Sequence, residues 1–211
     1  AEPGVRLRYV DSSEQVGNPA AIIIPGTKST INDLVWLRSQ GFEDIIQKHA
    51  QNGGAVVGIC GGYQILGEVV HDPDHIESNQ DNASGLGLLP IETVFANEKA
   101  THQASAQIQN GSGWFANLEG QMINGYEIHM GRTHSQSSWL KITERNGQIV
   151  QVVDGATSDD GRVWGCYMHG LFANDNLRQA WLEDLGWSRN QAGEKDPFAT
   201  SLTRLADTLE S

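Results

Sequence analysis

The stretch Ala55-Val56-Val57-Gly58-Ile59-Cys60-Gly61-Gly62-Tyr63-Gln64-Ile65-Leu66-Gly67 constrains this chain more than any other. Its first half is apolar and β-branched, the pattern of a strand buried on both faces. From Tyr63 through Val70 the pattern reads as the start of a helix. Between the halves, Cys60 stands among Gly58, Gly61 and Gly62. A nucleophile on a sharp strand-to-helix turn needs such neighbours, because larger side chains would collide there. The N-terminus of the following helix would face the sulfur and favour thiolate over thiol. A cysteine taken alone reads rather as a buried packing residue. The strand–turn–helix setting is what favours the nucleophile.

The rest of the chain supplies a scaffold for that turn. Val5 to Val10 alternates as a strand, and Ala20 to Ile24 reads as a second one closed by Pro25-Gly26. Thr30 to Asp33 has the form of a capping box opening a helix over Leu34, Val35 and Leu37. Phe42, Ile45, Ile46 and His49 continue at helical spacing until Asn52-Gly53-Gly54. Strands alternating with helices predict an α/β fold with a doubly wound, mainly parallel sheet, whose ligands gather at the carboxyl ends of the strands. From about residue 102 to 168 the pattern changes to short strands with turn dipeptides at Asn124-Gly125, Asn146-Gly147 and Asp160-Gly161, a β-rich C-terminal half. Leu177, Trp181, Leu182 and Leu185 form an amphipathic helix stopped by Gly186, and Asp196-Pro197 opens a last helix over Phe198 to Leu209. Residues 1–211 read as one domain, and with no Met at position 1 the chain is expected to be part of a longer or processed one.

Charge and cysteine usage narrow the function. Against 14 Lys and Arg stand 26 Asp and Glu, a formal charge of −12, which argues against nucleic acid or an anionic membrane as the main partner. The two cysteines, Cys60 and Cys166, form no disulfide framework, so a reducing, cytoplasmic compartment is expected. The sequence shows no signal-peptide pattern and no apolar run long enough to span a bilayer, so neither is expected. His71 to Glu77 is rich in metal-ligand types but reads as a solvated loop, so no metal site is expected there. A cysteine nucleophile needs a base that also protonates the leaving group. Among seven histidines, His169 is the best placed, at the end of the apolar strand Arg162 to Met168, and His129 is second. The oxyanion hole is expected from the N–H of Gly61 and that of Gly26 or Thr27. The turn Gly26-Thr27-Lys28-Ser29-Thr30 lacks the Gly-Lys-Ser/Thr ending of a phosphate loop, so an NTP site is rejected.

Pro25 to Thr30 with Asp33-Leu34, together with Gly58-Ile59-Cys60-Gly61-Gly62-Tyr63-Gln64, resembles the class I (triad) glutamine amidotransferases, a flavodoxin-like fold. Four further stretches are similar to one branch, the glutaminase domains of cobyric acid synthases. They are Asp72-Pro73 with Ile76-Glu77, Gly85 to Pro90 with Thr93, Phe95 and Lys99, Gly125 to Gly131, and Gly165 to Phe172. The resemblance implies that Cys60 attacks the side-chain amide of L-glutamine and that His169 protonates the departing ammonia. It implies a substrate contact at Gln64 and a pocket wall at Tyr126, Glu127 and His129. No cofactor is implied in this domain. ATP and Mg²⁺ would serve an N-terminal synthetase domain that amidates corrin carboxylates with the ammonia. Many relatives in the wider superfamily carry Glu two residues after the catalytic His, where this chain has Leu171. Some other group must then orient the imidazole, and Glu127 is the candidate. The same domain in cobyrinic acid diamide synthase or a cell-wall amidating enzyme, a general cysteine hydrolase, and a non-catalytic regulatory module are the alternatives.

Overall fold

The structure is a computed structural model and describes residues 2–109 and 113–188, apart from the side chains at 98 and 99. Its first sheet carries the site. Strand β1 (Ala21–Ile24) pairs in parallel with β2 (Ala55–Ile59), which pairs in parallel with β10 (Val163–Cys166). The short β9 (Ala156–Thr157) adds an antiparallel edge. Because β2 is central and apolar throughout, its neighbouring residues Val56 and Val57 are both fully buried, in two different cores. Helices α1 (Thr30–Ser39) and α2 (Phe42–Gln51) cover the Val56 face with Leu34, Leu37, Phe42 and Ile46. On the Val57 face lie helix α4 (Asp175–Asp184) and an aromatic cluster of Trp114, Phe115, Trp139 and Trp164. The sheet is therefore wound on both faces, as the alternation of strands and helices predicts.

The second sheet is built on β5 (Glu92–Ile108), which pairs with β3 (Val69–His71) in parallel and with β6 (Met122–His134) and β7 (Leu140–Arg145) antiparallel. Strand β4 (Asn82–Ser84) flanks β3. The hairpin from β7 to β8 (Gln148–Asp154) turns at Asn146-Gly147, whose φ angles of 50° and 80° are those of a type I′ turn. The β-rich section expected in the C-terminal half is this sheet.

Several sequence expectations need correction. Val5 to Val10 forms no strand: it meets no neighbour to pair with, and Leu7 and Tyr9 are 67% and 93% exposed. The Arg8 guanidinium instead donates to the Gln15 and Val16 carbonyls. The helix after Cys60, α3 (Gly61–Leu66), ends before Val69 and Val70, which pair with β5 as β3. Asn124-Gly125 is no turn but lies inside β6, opposite Ser105 and Ala104. The glycine is needed there because the His169 carbonyl lies against it. Thr30 caps nothing either: Ser29 is the N-cap of α1, and the Thr30 hydroxyl donates to Gln64. The helix expected at 196–209 lies outside the described residues.

Gly62 is the position where the fold leaves least room. A Cβ there would strike the Ile24 carbonyl at the end of β1, a backbone atom that cannot swing away. Gly62→Ala should therefore cost about 1–3 kcal/mol of stability through overpacking, read as a lower urea midpoint at unchanged slope.

Candidate active site

Chain geometry at the turn is strained. Cys60 has φ 54° and ψ −111°, a conformation that costs a non-glycine residue about 1–3 kcal/mol. Its surroundings hold it there. The Cys60 N–H donates to the Cys166 carbonyl at 2.8 Å, and the Cys60 carbonyl accepts from the Gln64 N–H at 3.1 Å. The sulfur points away from β2, and its thiol donates to the Ile128 carbonyl of β6 at 3.3 Å.

The thiolate that the helix N-terminus would favour is opposed by burial. Burial pushes the Cys60 thiol up to about 11, and the nearby carboxylates of Glu77 and Asp154 add to that. The Gly61 N–H, which bonds the sulfur, acts in the opposite direction but is outweighed. Helix α3 is six residues long, too short to contribute more than its first N–H groups. Cys166 is also buried and is pushed up further, with its thiol directed at the Met168 carbonyl, so it is no competing nucleophile.

His169 follows β10 and comes to the sulfur side of the turn. One point locates both groups: a Cβ built on Gly26 would lie 2.9 Å from His169 Cε1 and 3.4 Å from Cys60 Cβ. Only a residue without a side chain fits between them. The imidazole is half-buried, and that burial, with the charge of His129 behind it, holds its pKa below the ordinary value. At neutral pH the pair is thus a thiol and a neutral imidazole.

Gly26 and Thr27 form the turn after β1 and stand beside the start of α3. A Cβ on Gly61 would lie 3.0 Å from the Thr27 nitrogen. Among the described residues, neither the Gly26 nor the Thr27 N–H donates a hydrogen bond, so these donors are available beside the Gly61 N–H. The Thr27 hydroxyl fixes the turn by donating to Asp33 and accepting from the Ser29 N–H at 3.1 Å. Glu77 then closes the α1 N-terminus by accepting from the Thr30 N–H at 2.9 Å, setting a carboxylate where a phosphate loop would hold its anion.

The other expected site residues lie behind this front. Gln64 is buried, accepting from the Thr30 hydroxyl at 2.9 Å and donating to the Tyr167 hydroxyl at 3.1 Å. Glu127 cannot orient His169. It is buried and forms a paired contact with Arg145, at 2.7 and 2.8 Å, and a longer one of 3.4 Å with His129. Burial pushes its carboxyl up, but these partners outweigh that and hold it below the ordinary value. His129 stacks on Tyr167 and bonds the Gly131 carbonyl at 2.9 Å. Tyr126 stacks on His169 itself.

Asp154 went unnoticed in the sequence. It is fully buried and accepts from the N–H groups of Gly155, Tyr167 and Met168 at 2.6 to 3.2 Å, so it anchors the two residues before His169. Desolvation raises its pKa to about 6 despite those bonds. Nothing local marks it: Asp154-Gly155 reads as another turn dipeptide. In the acidic loop, Asp72 spends its carboxylate on the N–H groups of Ile76, Glu77 and Ser78. Among the described residues no three His, Cys, Asp or Glu gather as metal ligands.

A strained cysteine between a parallel strand and a helix, facing a histidine from a later strand, defines the class I glutamine amidotransferase fold. Solved structures agree on that fold. A chain of PurLQS from Thermotoga maritima superposes with a TM-score of 0.61 at 21% identity, over 84% of this chain and 85% of that one. A solved glutamine amidotransferase gives 0.57 at 17% identity, over 87% and 88% of the two chains. Within that class, the chain belongs to the family of CobB/CobQ-like glutamine amidotransferase domains, which residues 1–177 match. Cobyric acid synthase of Chloroflexus aggregans is 47% identical over 98% of this chain and 40% of its own length. That of Moorella thermoacetica is 46% identical over 84% of this chain and 35% of its own. The chain spans about 40% of the length of such curated relatives.

The ionisation of the pair is measurable. Iodoacetamide labelling of Cys60 should keep accelerating as pH rises from about 7 to 9.5, because deprotonation supplies the reactive thiolate. A rate already level from about pH 6 to 9 would mean a preformed thiolate–imidazolium pair.

Proposed function

We propose that this chain hydrolyses L-glutamine through a thioester on Cys60 and supplies the ammonia for ATP-dependent amidation of corrin-ring carboxylates, in cobyric acid synthesis for cobalamin. The observation that carries the reading is the single point beside Gly26 that touches both Cys60 and His169. The family membership and the named relatives support the choice of glutamine and of the corrin acceptor.

The chemistry follows from the resting protonation. The Cys60 thiol passes its proton to the neutral imidazole of His169 as the sulfur bonds to the glutamine amide carbon. The carbonyl oxygen takes the negative charge and accepts the N–H groups of Gly61 and of Gly26 or Thr27. When the tetrahedral centre collapses, the imidazolium returns that proton to the departing nitrogen, and ammonia leaves with a glutamyl thioester behind. Water then attacks the thioester with His169 as base. The carbon–sulfur bond breaks, the sulfur regains a proton and glutamate is released. The Tyr126 ring and the Ile128 carbonyl, both beside the pair, would border the pocket for the amino-acid end, while Gln64, Glu127 and His129 support that wall from behind.

The ammonia acceptor belongs to the remainder of a longer protein, a synthetase part that precedes this domain and binds ATP, Mg²⁺ and the corrin. Glu77 occupies the α1 N-terminus, where a phosphate loop would hold its anion. Among the described residues no helix is long and apolar enough to cross a membrane. Two cysteines that form no disulfide framework fit a reducing compartment, and we place the reaction in the cytoplasm.

Two measurements test the reading. A diazo-ketone analogue of glutamine should label Cys60 and leave Cys166 unmodified; a folded sample that takes no label would favour a docking or regulatory module. Cys60→Ser should lower glutamine hydrolysis by at least about 1,000-fold while sparing ammonia-driven amidation in the full-length protein. Loss of both activities would contradict the division of labour.

A further inference from the structure

We propose that Tyr126 is the positioning residue for His169, holding the imidazole by backbone pairing and ring stacking where a triad would use a carboxylate. This rests on the glutaminase reading above. The two residues form an isolated antiparallel bridge between β6 and the segment after β10. The His169 N–H donates to the Tyr126 carbonyl at 2.8 Å, and the Tyr126 N–H donates to the His169 carbonyl at 3.2 Å. Their rings lie parallel within 4°, with centroids 5.0 Å apart. The backbone pairing fixes where the side chain leaves the chain, and the stack fixes the plane of the ring.

The neighbouring residues are shaped to this contact. Gly125 lies so close under the His169 carbonyl that no side chain would fit there. Gly170, at φ 80°, turns the chain away immediately after the histidine, and a Cβ on it would touch the Tyr126 ring at 3.8 Å. The usual alternative is missing. Among the described residues the imidazole nitrogens have no hydrogen-bond partner, and Leu171, where a triad carboxylate would stand, is buried in the core. Glu127, next to Tyr126 in sequence, is held by Arg145 and His129. Tyr126 itself is 40% exposed and ordered by β6, whose pairing with β5 runs through Gln103 opposite it.

A ring held by stacking differs in chemistry from one held by a carboxylate. A carboxylate stabilises the imidazolium and so favours the charged form. An aromatic face orients the ring and shields it from water without adding charge. The aromatic plane is therefore required and the phenol hydroxyl is dispensable.

The test compares Tyr126→Phe, Tyr126→Leu and Tyr126→Met. Glutamine hydrolysis by Tyr126→Phe should stay within about threefold of the parent, while Tyr126→Leu and Tyr126→Met should lose about 10- to 100-fold in kcat with little change in KM. NMR titration of the His169 ring reads the position without any turnover. The imidazole should titrate nearer its ordinary value in Tyr126→Leu and Tyr126→Met, as the ring gains water, and stay low in Tyr126→Phe. Unchanged kcat and titration in the aliphatic variants would overturn the proposal, as would a Phe variant as damaged as they are. A loss confined to KM would assign Tyr126 to substrate contact instead. If the parent protein hydrolyses no glutamine, the functional reading fails, and the titration alone still decides whether Tyr126 positions the ring.

Discussion

Everything at this site depends on how closely the turn after β1 meets the turn after β2. The two strands are parallel neighbours in register, Ile24 beside Gly58, so both chains leave the sheet at the same level. Gly62 then packs on the Ile24 carbonyl, and Gly61 faces Thr27. Any side chain at 61 or 62 would push the turns apart and separate the Gly61 N–H from those of Gly26 and Thr27. The contact is extended outward by polar ties. Thr27 binds Asp33, Thr30 binds Gln64, and Gln64 binds Tyr167, so α1 and the end of β10 are fastened to the same turn.

The opposite wall is a strand from the other sheet. β6 runs past the carboxyl ends of β2 and β10, offering the Ile128 carbonyl to Cys60 and the Tyr126 backbone to His169. Its outward residues face Cys60 and His169, while Glu127 and His129 point back into protein. The buried ion pair of Glu127 with Arg145 is weak support for stability, because desolving two charges offsets most of their attraction. What it does supply is register. Arg145 lies on β7 and Glu127 on β6, each paired to β5, so the pair fits only when both strands are correctly aligned. A slip of one residue would turn Ile128 and Tyr126 inward and dismantle the wall.

Parts of this arrangement were legible in the sequence because they are local. The β2 strand, the turn at Cys60 and the Asn146-Gly147 hairpin each carry their signal within a few residues, and the apolar run before His169 places that residue at a strand end. Other parts act across the fold. Asp154 and Glu77 work by accepting backbone N–H groups from residues 13 and 47 positions away, and no short pattern records that. Asn124-Gly125 misled for an instructive reason: the glycine that signals a turn is the same glycine that admits a neighbouring carbonyl. Val5 to Val10 shows the reverse, since alternation makes a strand only where a second strand is there to accept its hydrogen bonds.

The ionisation of Cys60 is a contest of two effects. A helix N-terminus lowers a thiol pKa, but α3 has six residues, while burial and two carboxylates act on the same sulfur. Desolvation disfavours each charged form, so it raises the thiol and lowers the imidazole together. The consequence for the proposed reaction is that no charge need exist before glutamine arrives. A neutral thiol and a neutral imidazole face each other, and proton transfer between them in an empty site would create two ions with little water to receive them. Once an amide carbonyl lies against the N–H groups of Gly61 and the Gly26–Thr27 turn, the negative charge passes on to an oxygen that those donors already surround. Charge separation then becomes favourable at the same moment as bond formation. Burial, which weakens the nucleophile in isolation, thus couples its activation to the presence of the substrate.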